Sequence, residues 1–302
     1  MAQKKTAGRF KSRTIASIAL SPTWLIALLV YLGTVIWTFR ISLTSSKLVP
    51  VYDFVGFDQY RHLMVNPRWL LALENMLVFG VAFIAGCLIV GFLLAAAIDR
   101  KIRGEAVFRT VFLYPYALSF IVTGLVWQWS LNPTYGIQAT VRGWGWETFT
   151  FDWLVRSDRA IYVLAIAGIW QATGLVMALM LAGLRSVDPA LWAAARVDGI
   201  PLWRTYVHII IPELRPVVLT ATVLLGFLVV KVYDLVVAMT RGGPGNATDV
   251  PAKFVVDYLF TRANIGMATA ASVVMLVAVI PFLVLWYYAQ RTPASRRSGA
   301  SA

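Results

Sequence analysis

Five stretches of this chain run without a single Asp, Glu, Lys or Arg for longer than a bilayer is thick: Thr14 to Phe39, Asn75 to Ile98, Thr110 to Val141, Ala160 to Leu184 and Ala263 to Gln290. A helix crosses the hydrocarbon core in roughly 20 residues, so each stretch is long enough to span. A sixth, Val217 to Thr240, is interrupted only by Lys231 and Asp234. The reading is an all-α polytopic membrane protein with six transmembrane helices. Six overlong apolar helices do not fit one small soluble domain, and 59% apolar against 14% charged residues exceeds what a soluble core of 302 residues needs.

Lys and Arg set the orientation. With the N-terminus inside, the inner segments hold Lys4, Lys5, Arg9, Lys11 and Arg13, then Arg100, Lys101, Arg103 and Arg109, then Arg185, Arg196, Arg204 and Arg215, then Arg291, Arg296 and Arg297. The outer loops hold fewer, so both termini and the loop at 185–216 are expected in the cytoplasm. The net charge of +13 is then mostly a topology signal. It is spread over loops rather than gathered on one face, and nucleic acid is not an expected partner. The first apolar run is longer than a signal-peptide core and no small-residue cleavage site follows it before Arg40, so it is expected to stay as helix one. Cys87 is the only cysteine, which excludes a disulfide or Cys-based metal site within one chain. His62 and His208 fall on opposite sides of the membrane in this topology, and no metal site is expected.

The loop at 185–216 has more built-in structure than a connection needs. Asp188 can cap a helix and Pro189 suits its first turn. Ala190 to Val197 then makes about two turns, and Gly199 can take the left-handed stop. Pro201 restarts the chain, Leu202, Trp203, Tyr206, Val207 and Ile210 recur at helical spacing, and Pro212 is expected to end the second helix. An amphipathic helix lying on the inner leaflet explains Trp203 and Tyr206. The small surface Ala193-Ala194-Ala195 and the glycine turn fit docking of another protein better.

At these residues the chain resembles the permease subunits of binding-protein-dependent ABC importers. Their loop reads Glu-Ala-Ala, three residues, Gly, nine residues, Ile-x-Leu-Pro. Ala194, Ala195, Gly199, Ile209 and Pro212 stand at the matching positions, with Ala193 in place of Glu and Ile211 in place of Leu. Without that Glu, Arg196 or Asp198 could supply charge to a contact. Arg103-Gly104, Phe108-Arg109, Pro115, Trp127, Trp129, Pro133 and Gly136 resemble the pattern of the carbohydrate importers, as do Gly242-Gly243-Pro244 and Thr248. Arg196 to Pro201 and Pro251-Ala252-Lys253 resemble the maltose-type permeases for alpha-glucosides or for glucose and mannose. The resemblance implies a basic tail at 1–13, a first membrane helix and outer loop at 14–69, an importer transmembrane domain at 70–290 and a second tail at 291–302.

No Gly-x-x-x-x-Gly-Lys-Ser/Thr occurs, and Gly242-Gly243-Pro244-Gly245 lacks the lysine. The chain is expected to bind no cofactor and to be no enzyme. ATP and Mg then belong to an ATP-binding subunit, which the resemblance implies in two copies beside a second permease and an extracytoplasmic sugar-binding protein. The expected place is the bacterial cytoplasmic (inner) membrane. Alternating access is the expected mechanism, with 189–210 as the lever between ATPase and helices four and five.

A sugar path needs hydroxyl partners and aromatic faces. Helix four offers Trp170, Gln171 and Thr173, and helix five offers Lys231, Tyr233 and Asp234. Charges inside a membrane face protein or water. Lys231 and Asp234, three apart, either line a path or pair to lock helix five to a neighbour. Trp127 and Trp129 suit interfacial anchoring. The alternatives are an ion-coupled secondary transporter and an importer permease for a non-sugar solute.

Overall fold

A computed structural model describes residues 4–100 and 102–291, with side chains from 20 to 284 and at 287. Residues 1–3 and 292–302 of the two expected tails, and Lys101, lie outside the described residues. The described chain is helical. Its one β pairing among the described residues is the bridge between Thr44 and Phe54. In chain order the helices are α1 (Lys4–Ser42), α2 (Asp58–Met64), α3 (Pro67–Asp99), α4 (Glu105–Leu113), α5 (Phe120–Ser130), α6 (Ile137–Gly143), α7 (Ala160–Ser186), α8 (Pro189–Val197), α9 (Leu202–Thr205), α10 (Ile211–Glu213), α11 (Arg215–Val230), α12 (Asp234–Met239), α13 (Pro251–Val256) and α14 (Ile265–Arg291).

Among the described residues, four helices are long and apolar enough to cross a membrane: Leu20–Ser42 of α1, all of α3 and α7, and Ile265–Val284 of α14. Two more crossings are possible as bent pairs, Glu105–Ala117 with Phe120–Ser130 at 98° and Leu202–Glu213 with Arg215–Val230 at 70°. The expected continuous helix from Thr110 to Val141 is therefore corrected. Pro115 has no N–H to give, the chain tightens to a 3₁₀ turn over Tyr114–Ala117, and Leu118 and Ser119 turn extended. Ser119 then caps α5 through its hydroxyl, which accepts from Val122 N at 3.3 Å. After Ser130 the chain turns back through Gly136, whose added Cβ would lie 2.3 Å from the Ser130 carbonyl oxygen. The expected helix Val217 to Thr240 is also interrupted, between α11 and α12.

α3 and α7 form the spine of the core. Phe79, Phe83 and Cys87 of α3 pack with Leu164, Ala167, Val176 and Met177 of α7 in one buried cluster. Small residues let the backbones approach: a Cβ on Gly91 would meet Val176 Cγ1 at 2.7 Å. α3 begins at Pro67, earlier than the expected Asn75, because Asn66 caps it by accepting from Arg68 N at 3.0 Å and Trp69 N at 3.3 Å. α1 lies against α14 and leaves most of its apolar side chains exposed, as a helix facing lipid does.

One end of the bundle is closed by charge. Asp249 is fully buried, and its Oδ2 accepts from Arg68 Nε at 2.5 Å. Arg68 also donates to Asp257. Lys253 Nζ lies 2.5 Å from Asp257 Oδ2 and 3.5 Å from Asp249 Oδ1. Asn75 Nδ2 donates to the Asp249 carbonyl at 2.9 Å. Beneath them Phe254 stacks on Tyr258 and meets Trp69 edge-on, and the three pack in one cluster with Ala268 and Ala271 of α14. Two cations pair with two carboxylates, with Asp249 Oδ1 held by the 3.5 Å ion pair to Lys253 and by no hydrogen bond among the described residues, and this ties the start of α3 to α13. Removing one partner of such a buried set costs about 3–5 kcal/mol.

Two measurements test this packing. Gly174 of α7 faces the bend after α4, where a Cβ would meet the Phe112 carbonyl oxygen at 2.1 Å and Leu113 Cα at 3.0 Å. Gly174→Ala is expected to cost about 1–3 kcal/mol through overpacking against backbone, read as a lowered Tm in detergent; an unchanged Tm would remove the close approach. Burial raises the Asp257 carboxyl, but hydrogen bonds from Lys253 and Arg68 outweigh it and hold it below its ordinary value. Its stabilisation is therefore present above the unfolded value of about 3.9 and lost as pH falls through the lower folded value. From about pH 5 to about pH 2, Tm is expected to fall more steeply in the wild type than in Asp257→Asn. Parallel slopes would refute the assignment.

Candidate functional site

The connection between α7 and α11 folds as two short helices. Asp188 Oδ1 accepts from Ala190 N at 2.8 Å and Pro189 opens α8. At the other end Gly199 takes φ +69°. Ile200 N bonds the Ala195 carbonyl at 3.0 Å and Gly199 N bonds the Arg196 carbonyl at 3.2 Å. This pair of bonds is a Schellman closure, which satisfies the last carbonyls of α8 and reverses the chain in three residues. Ala193, Ala194, Arg196, Asp198 and Gly199 are exposed. Ala195 is only 3% exposed, so the expected three-alanine surface is divided: two alanines face outward and the third packs inward. Arg196 Nε donates to the Trp192 carbonyl at 3.3 Å.

The second helix starts after Pro201 and runs through α9 and a π turn, Tyr206–Ile210, into α10. Pro212 cannot donate to the His208 carbonyl, and the register widens just before it, with Ile211 N bonding the Tyr206 carbonyl. Pro212 therefore does not end the helix. It sits in its last turn, and the 70° bend follows at Leu214. Leu202, Trp203 and Val207 are exposed, Ile209 and Pro212 are half-buried, and Ile210 is buried in the main core. Of the expected apolar face, Tyr206 and Ile210 turn into the protein and the other three turn out.

An aromatic contact and the buried Ile210 hold this helix pair to the bundle, and an ion-pair cluster beside it ties the end of α7 to α3 and α4; the sequence did not announce the aromatic contact or the cluster. Tyr206 packs edge-on against Trp192 of α8 at 5.4 Å and against Phe92 of α3 at 5.9 Å. Arg185, at the end of α7, lies 3.6 Å from Asp99 of α3 and 2.7 Å from Glu105 of α4. Spacing could suggest that Tyr206 faces inward, but nothing local points to Phe92 as its partner.

The expected path residues fall in two places. On α7, Trp170 is partly exposed and meets Trp127 of α5 edge-on at 6.1 Å. Gln171 and Thr173 are buried: Gln171 Nε2 donates to the Leu118 carbonyl at 2.7 Å and Thr173 Oγ1 to the Ile169 carbonyl at 2.6 Å. Gln171 thus satisfies the backbone at the α4–α5 bend. Trp127 is half-buried, while Trp129 is 63% exposed. Lys231, Tyr233 and Asp234 sit at the break between α11 and α12, with both charged residues exposed. The expected helical i,i+3 pairing of Lys231 with Asp234 is corrected: Tyr233 N bonds the Lys231 carbonyl at 2.7 Å, the helix is interrupted there, and no ion pair joins the two among the described residues. No hydrogen bond, ion pair or ring contact joins the α7 trio to the α11–α12 trio among the described residues.

Residues 87–294 match the family described as the binding-protein-dependent transport system inner membrane component. A Pyrococcus horikoshii protein named a probable ABC transporter permease is 35% identical over 270 residues, 87% of this chain and 92% of the relative. The xylose/arabinose import permease XacH of Haloferax volcanii is 33% identical over 273 residues, 89% of this chain and 85% of the relative. The fold is shared with a chain of a bacterial ABC transporter involved in the import of the acidic polysaccharide alginate, at a TM-score of 0.79 and 19% identity over 96% of this chain and 99% of that one. The exposed helix pair and the apolar bundle behind it are therefore those of a membrane-embedded permease, and the chain belongs to the family of inner membrane components of binding-protein-dependent transport systems.

Proposed function

We propose that this chain is one permease subunit of an ATP-driven sugar importer of the bacterial inner membrane. The observation that carries the reading is the α8–α9 pair. It is an exposed, backbone-locked projection whose residues Ala194, Ala195, Gly199, Ile209 and Pro212 stand at the spacing of the family's coupling motif. Its occupant is a separate ATP-binding subunit, two copies of which hold ATP and Mg; Ala193, Ala194, Arg196 and Asp198 supply the outward contacts. Each bent pair crosses once, giving six spans, and the Lys and Arg distribution supports cytoplasmic termini. A second permease completes the path, because six helices line only part of one. An extracytoplasmic binding protein delivers substrate to the outer loops. The family description, which names dependence on a binding protein, supports that partner.

Sugar as the substrate rests on the relative named for xylose and arabinose import and on the composition of the candidate path. Trp170 offers an aromatic face, and the interrupted stretch at Lys231, Tyr233 and Asp234 offers polar groups where a helix opens. Broken helices are where transporters place their binding groups. Gln171 and Thr173 act from behind, through the backbone they bond. In alternating access, ATP binding closes the ATPase pair, α8 and α9 move with it, and α7 and α11 carry the motion to the path.

A cysteine at the exposed Ala194 is expected to form a crosslinked adduct with the ATPase subunit in the assembled complex, whereas one at the buried Ala195 is expected to react far less. No adduct at Ala194 in an intact complex would sink the coupling assignment. Gly199→Val puts a β-branched residue at φ +69°, a conformation that costs an L residue about 1–2 kcal/mol. It is expected to reduce the Ala194 adduct while leaving the detergent-solubilised bundle folded. Full crosslinking in that variant would show that the turn does not set the docking shape.

A further inference from the structure

The α8–α9 pair is joined by the chain to α7 and α11, and it packs on the rest of the bundle through Leu191, Ile209 and Ile210 and through one aromatic junction. Tyr206 stands between Trp192 of α8 and Phe92 of α3, both edge-on. A charged cluster ties the same end of α3 to α7 and α4: Asp99 lies 3.6 Å from Arg185 Nε, Arg185 Nη2 2.7 Å from Glu105 Oε1, and Glu105 3.6 Å from Arg109. Glu105 opens α4, and α4 leads through the 3₁₀ turn to the bend that Gln171 holds and so to α5. These ion pairs are partly exposed and weak one by one. Their value is geometric: a guanidinium shared between carboxylates on α3 and α4 fixes the start of α4 against the end of α7.

We propose that Tyr206 and Arg185 are positioning residues that pass displacement of the α8–α9 pair into α3 and α4, so that α5 moves with the coupling pair through a non-covalent link. The proposal rests on the coupling reading above. α4 is the element that discriminates. α3 packs along the length of α7 and would follow it in any case, whereas α4 meets α7 near its ends, through Arg185 and through the bend.

The test is a distance measurement and needs no transported solute. In a Cys87→Ala background, nitroxide labels are placed at Val107 of α4 with Leu283 of α14, and separately at Val197 of α8 with Leu283; the three are 66%, 87% and 47% exposed. The complex with its ATPase, in nanodiscs, is compared without nucleotide and with ATP, Mg and vanadate. In the otherwise unaltered protein both distances are expected to shift. In Tyr206→Ala and in Arg185→Gln the Val197 pair is expected to keep its shift while the Val107 pair loses at least half of its own. Tyr206→Phe, which keeps both ring contacts, and Arg185→Lys, which keeps the charge, are expected to restore most of it. A Val107 shift unchanged in both variants overturns the proposal. So does joint loss of both shifts, because the residues would then hold the coupling pair itself. Absence of any Val197 shift in the otherwise unaltered protein overturns the coupling reading instead, and no variant is needed to see it.

Discussion

A peptide group inside a bilayer has no water to turn to, and leaving one unpaired costs several kcal/mol. Among the described residues this chain nevertheless interrupts its helices at Leu118–Ser119, around Leu214 near the membrane surface and at Lys231–Tyr233. The protein supplies its own partners at each. Gln171 donates to the Leu118 carbonyl and Ser119 accepts from Val122 N. Leu214 N bonds the Ile210 carbonyl, and the Leu214 carbonyl accepts from both Val217 and Val218. Val232 N bonds the Val229 carbonyl, and Tyr233 N turns back to Lys231. Two of the bends are paired by backbone groups and the α4–α5 bend by the Gln171 and Ser119 side chains.

That requirement gives α7, which like α3 runs unbroken, a particular role. It carries Gln171 to satisfy the α4–α5 bend, Gly174 to let that bend approach, and Arg185 to clamp the start of α4. A straight, largely buried helix bearing these groups at intervals can serve as the frame on which bent segments are registered. The small residues on its face toward α3 replace the hydrophobic drive that lipid removes, since close van der Waals contact is what remains to hold helices together.

Much of this was legible in the sequence. The uncharged runs at Ala160 and Ala263 give α7 and α14 to within a turn, and Asp188, Pro189 and Gly199 mark α8 and its reversal by local chemistry alone. The α4–α5 bend was not legible from charge, because Trp, Tyr, Asn and Gly continue an uncharged run through a turn as easily as through a helix; Pro115 was the available signal. The break at Lys231 was visible as two charges in an apolar run, but i,i+3 spacing also fits an unbroken helix face. Asp249, Lys253 and Asp257 stand four apart and mark one helical face. Their fourth member, Arg68, lies 181 residues before Asp249, and only the fold brings it there.

The alanine at 193 shows how the projecting helix pair can depart from its family's pattern without losing shape. A glutamate there would add a charge on an exposed surface. It would contribute to neither the Asp188 cap nor the Gly199 closure, which are made by an aspartate side chain and by backbone groups. The fold of the projection is therefore independent of residue 193, and what changes is its charge. Arg196 and Asp198 remain exposed on the same turn, and among the described residues the Arg196 side chain makes one hydrogen bond, from its Nε to the Trp192 carbonyl. A partner that fits this surface must meet a shape defined by Ala193, Ala194 and the glycine turn, and a charge pattern displaced by one turn toward the C-terminal end of α8. Geometry fixed by backbone closure and recognition tuned by exposed side chains can then change separately.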